Sequence, residues 1–328
     1  MTNESVSFVT SARRICLVAI LAGGGAIAAN ATPAVIELPS DRAFPESVTS
    51  TSDGALYIGS IVNGGVLRVP PGQTDAEPWI KSGAYDSRST FGLLADERSN
   101  TLWVCSNDAS ALGTPGPNSV QGSFLKGFDL RTGEGKASAA LPGARTLCND
   151  MTLGPDGSVY VTNSLAAQIL RLRPGGAQLD VWLTDSRFEP PKDGVGLDGI
   201  AFGGDGNLYV NTFTSGELFR IDVKDGAPGK VTKLKTSRPL SLPDALRALH
   251  GNDFLMIEGA GSLDRVSIAE DSASIETIKD GFLQPTGVAS VGNTAWVAEG
   301  QLSRLAYPAK GPAPRLPFRV FAVPLSER

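Results

Sequence analysis

Residues 147–164, LCNDMTLGPDGSVYVTNS, decide the fold. The run MTL turns back at Pro155-Asp156-Gly157 into SVYV, which reads as a tight β-hairpin. Turns normally hold the polar residues of a hairpin. Asn149 and Asp150 stand at the far end of the first strand, where a turn does not account for them.

The hairpin recurs. FPESVTSTSDGALYIGS begins at Phe44, GLDGIAFGGDGNLYVNT at Gly196, LPDALRALHGNDFLMIEG at Leu242 and QPTGVASVGNTAWVAEG at Gln284. STFGLLADERSNTLWVCS at Ser89 is the loosest copy. Aligned on the residue that opens the first strand, the copies give Glu46, Phe91, Asn149, Asp198, Asp244 and Thr286. Successive copies start 45, 58, 49, 46 and 42 residues apart. From Glu46, Asn149 and Asp198 a turn aspartate lies seven residues on, at Asp53, Asp156 and Asp205. A tyrosine lies eleven residues on, at Tyr57, Tyr160 and Tyr209. Trp103, Met256 and Trp296 take that place, within one residue, in the other copies.

Each copy then reaches a third run in which Arg precedes an apolar residue: GGVLRV, AQILRLR, GELFRI, SLDRV and LSRLA. A variable fourth run follows, such as KVTKLK or ASIETI. Four antiparallel strands per unit of this length are the mark of a β-propeller. The expected fold is therefore all-β, a six-bladed β-propeller. The closing unit lacks a clear last strand, and AVIEL (34–38) can supply it, pairing the N- and C-terminal strands and removing an open edge. Separate sandwich domains are the alternative, against which the even spacing argues. The Gly-, Pro- and Ser-rich piece 109–122 is an insertion in the second unit, either a wall of a binding mouth or inert surface.

Composition agrees. The 328 residues include 38 Gly and 22 Pro, and no long run has the 3.6-residue apolar period of a helix. Arg13 and Arg14 precede an apolar run, 15–29, that ends in Ala29-Asn30-Ala31. That is the pattern of a signal peptide at 1–31, leaving a propeller at 32–328. The run is short and glycine-broken for a membrane anchor, and Cys16 precedes rather than follows it. The export route, general or twin-arginine, stays open. Removing Glu4, Arg13 and Arg14 leaves 27 basic and 33 acidic residues, a net charge of −6 with no basic cluster. This argues against nucleic acid or a membrane as partner. The chain is expected in the periplasm or secreted, where Cys105 and Cys148 can form one bridge. Cys105 ends a second strand and Cys148 precedes Asn149 on the next unit, so both fall at the same mouth.

In a propeller the first strand of each unit lines the central channel. Glu46, Asn149, Asp198 and Asp244 should therefore converge at one mouth and repel one another at neutral pH. A cation resolves this, and an all-oxygen set suits Ca2+, Mg2+ or Mn2+ over Zn2+. The competing view is that each of these residues is only a turn former.

With these motifs, the mature chain resembles the SMP-30/gluconolactonase family, six-bladed propellers that hydrolyse sugar lactones with a divalent cation, most often Ca2+, at the channel mouth. The resemblance implies that Glu46 in FPES, Asn149 in LCND and Asp244 in LPDAL are metal ligands. It makes Asn149 also a substrate contact and Asp244 a base. Asp198 in GLDGIAF stands where the family usually carries Asn. Leu147 stands where the family carries an arginine, with Arg145 two residues further back. The implied reaction is lactone or ester hydrolysis, with Asp244 or Asp198 taking the proton of an attacking water. The sole histidine, His250, falls in the LHGND turn, which excludes histidine-based triads and dyads. A non-catalytic propeller that binds a ligand or partner is the alternative function. Glu258 and Glu299 end second strands near the mouth, as substrate contacts or supports. The repeated Tyr and Trp residues are expected to pack between blades.

Overall fold

A computed structural model describes residues 1–2, 35–306 and 308–326. The expected leader lies outside the described residues, apart from its first two. Six antiparallel sheets follow one another along the chain, each entered at its innermost strand and leaving outward. The innermost strands are Val48–Ser50, Ser89–Asp96, Cys148–Leu153, Leu197–Phe202, Pro243–Ala248 and Pro285–Val291. The arrangement is that of a six-bladed propeller. The fifth sheet carries an extra outer strand, Lys235–Thr236, parallel to Ser272–Lys279. Among the described residues the helical segments are four 3-10 turns of three residues each.

The shared spacing has a physical cause. Asp53, Asp156 and Asp205 each accept a bond from the amide two residues on, at Ala55, Ser158 and Asn207, all at 3.0 Å. The glycine between has φ of 92°, 77° and 77° at Gly54, Gly157 and Gly206, a region that favours glycine. The hydroxyls of Tyr160 and Tyr209 return to Asp156 and Asp205. The ring of each then packs on the next blade: Tyr160 against Phe202, centroids 5.1 Å apart, and Tyr209 against Phe254 at 5.0 Å. Turn and core are thus tied through one side chain, and burying such a ring is worth roughly 1.5–3 kcal/mol.

Two expectations are corrected. LSRLA is not a strand: Leu302–Arg304 is a 3-10 turn, and the third strand of the sixth blade is Arg319–Pro324. The residues between carry four prolines, which lack the amides a ladder needs. Arg319–Pro324 is rich in β-branched and aromatic residues, which favour a strand. It pairs antiparallel with Val35–Glu37, so strands from both ends of the chain share this sheet. In the fifth blade the aromatic place is taken by Leu255, paired with Arg247, and not by Met256.

Candidate functional site

The inner strands of blades 2 to 6 carry a register shift at the residue that opens them. The shifts fall between Thr90 and Leu93, Cys148 and Met151, Leu197 and Ile200, Pro243 and Leu246, and Pro285 and Gly287. A bulge leaves a residue unpaired and re-aims its side chain. Here the re-aimed residues are Phe91, Asn149, Asp198, Asp244 and Thr286. The bulged backbones crowd one another. A Cβ on Gly92 would collide with the carbonyl of Asn149, and one on Gly199 with that of Asp244. Second-strand side chains fix the same backbones. Thr162 donates to the Asp198 carbonyl at 2.8 Å, and Asn211 to that of Asp244 at 2.7 Å. At the equivalent place in blade 2 stands Cys105, disulfide-bonded to Cys148 beside Asn149.

The bulged residues meet. A cavity of about 10 Å³, the size of one water or ion, is lined from all six blades, with Glu46, Asn149, Asp198, Asp244 and Thr286 among its walls. Glu46 is 6%, Asn149 6%, Asp198 4% and Asp244 6% exposed. Burial, then the charge of Asp150, pushes the Asp198 carboxyl up to about 8. Burial, then the charges of Asp198 and Glu46, raises Asp244 well above the usual carboxylate range. Burial, then Asp198, does the same to Glu46. Asn149 Nδ2 donates to Ser164 Oγ at 2.8 Å, which fixes the amide with Oδ1 toward the cavity. Neither Asn149 Oδ1 nor Asp198 Oδ1 has a hydrogen-bond partner. Buried oxygens left bare are uncommon and are ordinarily met by a water or an ion. Among the described residues, no group of three His, Cys, Asp or Glu side chains could by itself hold a metal ion. A cation here would need the Asn149 oxygen as well as the carboxylates. The hard, oxygen-only donors and the two bare acceptors fit such an ion.

Two further residues complete this hub: Asp150, singled out in the sequence beside Asn149, and Arg247, which a reading from sequence misses. Arg247 reaches across to Asp150 in a bidentate pair at 2.6 and 2.9 Å, bridging 97 residues of chain. Burial opposes its charge, but Asp150, then Glu46 and Asp244, hold it firmly protonated. The signal was available. Asp150 directly follows its bulged residue, where the other copies have Ser47, Gly92, Gly199, Ala245 and Gly287. Arg247 stands three residues after its own, where the others have Thr49, Leu94, Thr152, Ala201 and Ala289. Each is the one charged residue in its column of the repeat.

Above the hub opens a larger cavity of about 370 Å³, with Glu46, Asn149, Asp198 and Asp244 on its floor. Phe91, Leu147, Leu165, Val195, Phe213 and Leu302 form its sides. The insertion contributes Ala109, Ala111 and Leu112. Arg88, 4% exposed, holds that loop. It pairs with Asp108 at 2.8 Å and donates to Val120 O, Ser110 Oγ and Pro115 O. Arg145 is exposed and does not line the cavity; its carbonyl accepts from Asn163. Leu147 occupies the wall instead. Glu258 accepts from Ser241 N and Arg238, and Glu299 from Leu283 N, so both tether the loops that lead into Asp244 and Thr286. His250, its side chain 70% exposed, follows the far end of the strand that Asp244 opens.

No family model matches the sequence. It is 30% identical over 152 residues to core trichothecene cluster (CTC) protein 14 of Fusarium sporotrichioides, covering 44% of this chain and 40% of that protein. The match thus spans less than half of that relative. The fold is similar to the major allergen Mala s 1 of Malassezia sympodialis, with TM-score 0.69, 16% identity, and 89% and 96% of the two chains covered. It is similar to a gluconolactonase of Xanthomonas campestris, with TM-score 0.61, 16% identity and 89% of each chain covered. A catalytically inactive His→Ala variant of virginiamycin B lyase from Staphylococcus aureus gives TM-score 0.59 and 20% identity over 88% of this chain and 83% of that one. Its replaced residue is a histidine, and this chain has none at the hub. At these identities the likeness is one of fold. The structure thus takes its place beside gluconolactonases and related six-bladed propellers.

Proposed function

We propose that this chain is a divalent-cation-dependent hydrolase of a lactone or related ester. The observation that carries the reading is the buried hub, where Asn149 Oδ1 and Asp198 Oδ1 lie bare beside Glu46 and Asp244 at the floor of an open cavity. A cation, Ca2+ first and Mg2+ or Mn2+ next, would be held by Glu46, Asn149, Asp198 and Asp244. The three carboxylates would have to draw together around it, since as they stand they form no metal-holding group. When bound, the ion supplies Lewis-acid polarisation of a carbonyl oxygen. Asp244, or Asp198 beside it, accepts the proton of an attacking water at its carboxylate. Asn149, fixed by Ser164, orients the substrate oxygen.

The export pattern at 1–31 and the Cys105–Cys148 bridge support a periplasmic or secreted location. The fold likeness to gluconolactonases supports the reaction class and goes no further. A non-catalytic binding propeller is favoured by one observation: Arg247 already places a cation against Asp150 in the channel. Base consumption with a panel of lactones, with and without chelator, separates the two. Turnover that chelator abolishes and Ca2+ restores is expected, falling roughly 10²–10⁴-fold in Asp244→Ala. Absent or chelator-insensitive turnover overturns the hydrolase.

A further inference from the structure

A sugar lactone presents hydroxyl groups on almost every carbon, and the cavity above the hub offers them few partners. Phe91, Leu147, Leu165, Val195, Phe213 and Leu302 enclose it from four blades. Above the floor only two polar side chains line it, Asp108 and Thr146. Asp108 pairs with Arg88 and accepts from Ser110 N, and the Thr146 carbonyl accepts from Ser123 Oγ. The rim carries Leu112, 49% exposed, a large apolar side chain facing solvent. This wall is held in place, because the buried Arg88 fixes the loop that carries Leu112 through the bonds described above. Away from the floor, Asp108 and Thr146, sugar hydroxyls entering such a space would shed water against apolar side chains that offer no replacement donors or acceptors. An alkyl or aryl group would lose only unfavourable contact with water.

We infer that the site takes an apolar lactone or ester, its carbonyl over the hub and its hydrocarbon part against the Phe91–Phe213 wall. The inference rests on the hydrolase reading and names its substrate class. The test compares γ-valerolactone, γ-octalactone and γ-decalactone with glucono-δ-lactone, by base consumption in saturating Ca2+. Expected is a kcat/KM that rises about fourfold per added methylene until the cavity is filled. Glucono-δ-lactone should lie roughly 100-fold below the best substrate. A flat series, or glucono-δ-lactone as the best substrate, overturns the inference and leaves the hydrolase standing.

If no lactone is hydrolysed, the hydrolase falls, and calorimetric binding decides the rest. Binding of γ-decalactone alone upholds the apolar occupant; binding of glucono-δ-lactone alone, or of neither, overturns it. Phe213→Ser, with folding checked by its Tm, is expected to flatten the rise per methylene in turnover or in affinity. An unchanged slope places the hydrocarbon elsewhere and overturns the assignment.

Discussion

Asp198 and Asp205 lie on one hairpin, seven residues apart, and experience opposite environments. Burial works against the charge on Asp205, yet the amide and side chain of Asn207, with Tyr209 and Asn252, hold its carboxyl below the usual range. At Asp53 the Thr51 hydroxyl, followed by the Ala55 amide, has the same effect. Asp198 is more deeply buried, faces Asp150 and leaves one oxygen bare, and its carboxyl rises to about 8. One end of the hairpin satisfies its carboxylate chiefly from neighbours two and four residues away, with Asn252 of the next blade beside them. The other end gathers carboxylates from distant parts of the chain and lacks enough donors for them. The same residue type is structural where local hydrogen bonds suffice and chemical where they do not.

The sharpest way to break this comparison is to make one change at each end. Asp244→Asn should lower kcat/KM roughly 10²–10⁴-fold without lowering Tm in chelator, since it removes a buried repulsive charge. Asp205→Asn should leave kcat/KM within a factor of about two. Equal losses of activity would show the two ends to be alike. Next in size is Arg247→Met, which strands Asp150 in the channel. The expected destabilisation is about 3–5 kcal/mol by urea unfolding, mostly recovered in the double variant Arg247→Met/Asp150→Leu.

A third experiment uses pH. The folded proton affinity of Asp198, Asp244 and Glu46 is raised, so they stabilise the fold below about pH 4, where unfolded carboxyls are also protonated. That stability is lost as pH climbs toward about 8, the folded value of Asp198. In chelator, Tm should therefore fall between pH 4 and 8. Added Ca2+ should reverse the fall by binding the native state. A Tm that rises across this window, or ignores Ca2+, contradicts the hub. The smallest effect is expected at the turn. Asp156→Ala, losing its bonds to Ser158, should cost about 1 kcal/mol and leave turnover intact.

How much could be read from sequence follows the same divide. The hairpins and the order of the blades were readable because turn aspartate and packed tyrosine are linked at a fixed spacing. The positions of Glu46, Asn149, Asp198 and Asp244 followed from that alignment alone. The Arg247–Asp150 pair did not, because its members occupy different columns of the repeat in blades two apart. The third strand of the sixth blade was misplaced because a proline-rich stretch separates it from its hairpin. Apart from Phe91, which the alignment places at the mouth, the apolar wall was hidden for another reason: its residues sit in loops of unequal length, where the repeat gives no register. Arg145 stands two residues behind the place where the family carries an arginine, and in an exposed loop that offset carries its side chain out of the cavity.

The hub residues do not share one kind of anchorage. Asn149, Asp198 and Asp244 stand on consecutive blades, each riveted to the blade before it by a disulfide or a side-chain bond to its backbone. Glu46 belongs to the blade at the seam, where the Thr286 hydroxyl donates to the Pro45 carbonyl at 3.0 Å and the entering chain is held further by Leu38 N to Phe318 O and by Phe44 against Phe318. Loosening the chain ends would thus withdraw one of the four oxygen donors and leave an arc of three intact. An ion shared by all four would act as a latch across the seam, so its release and the parting of the termini would be a single event.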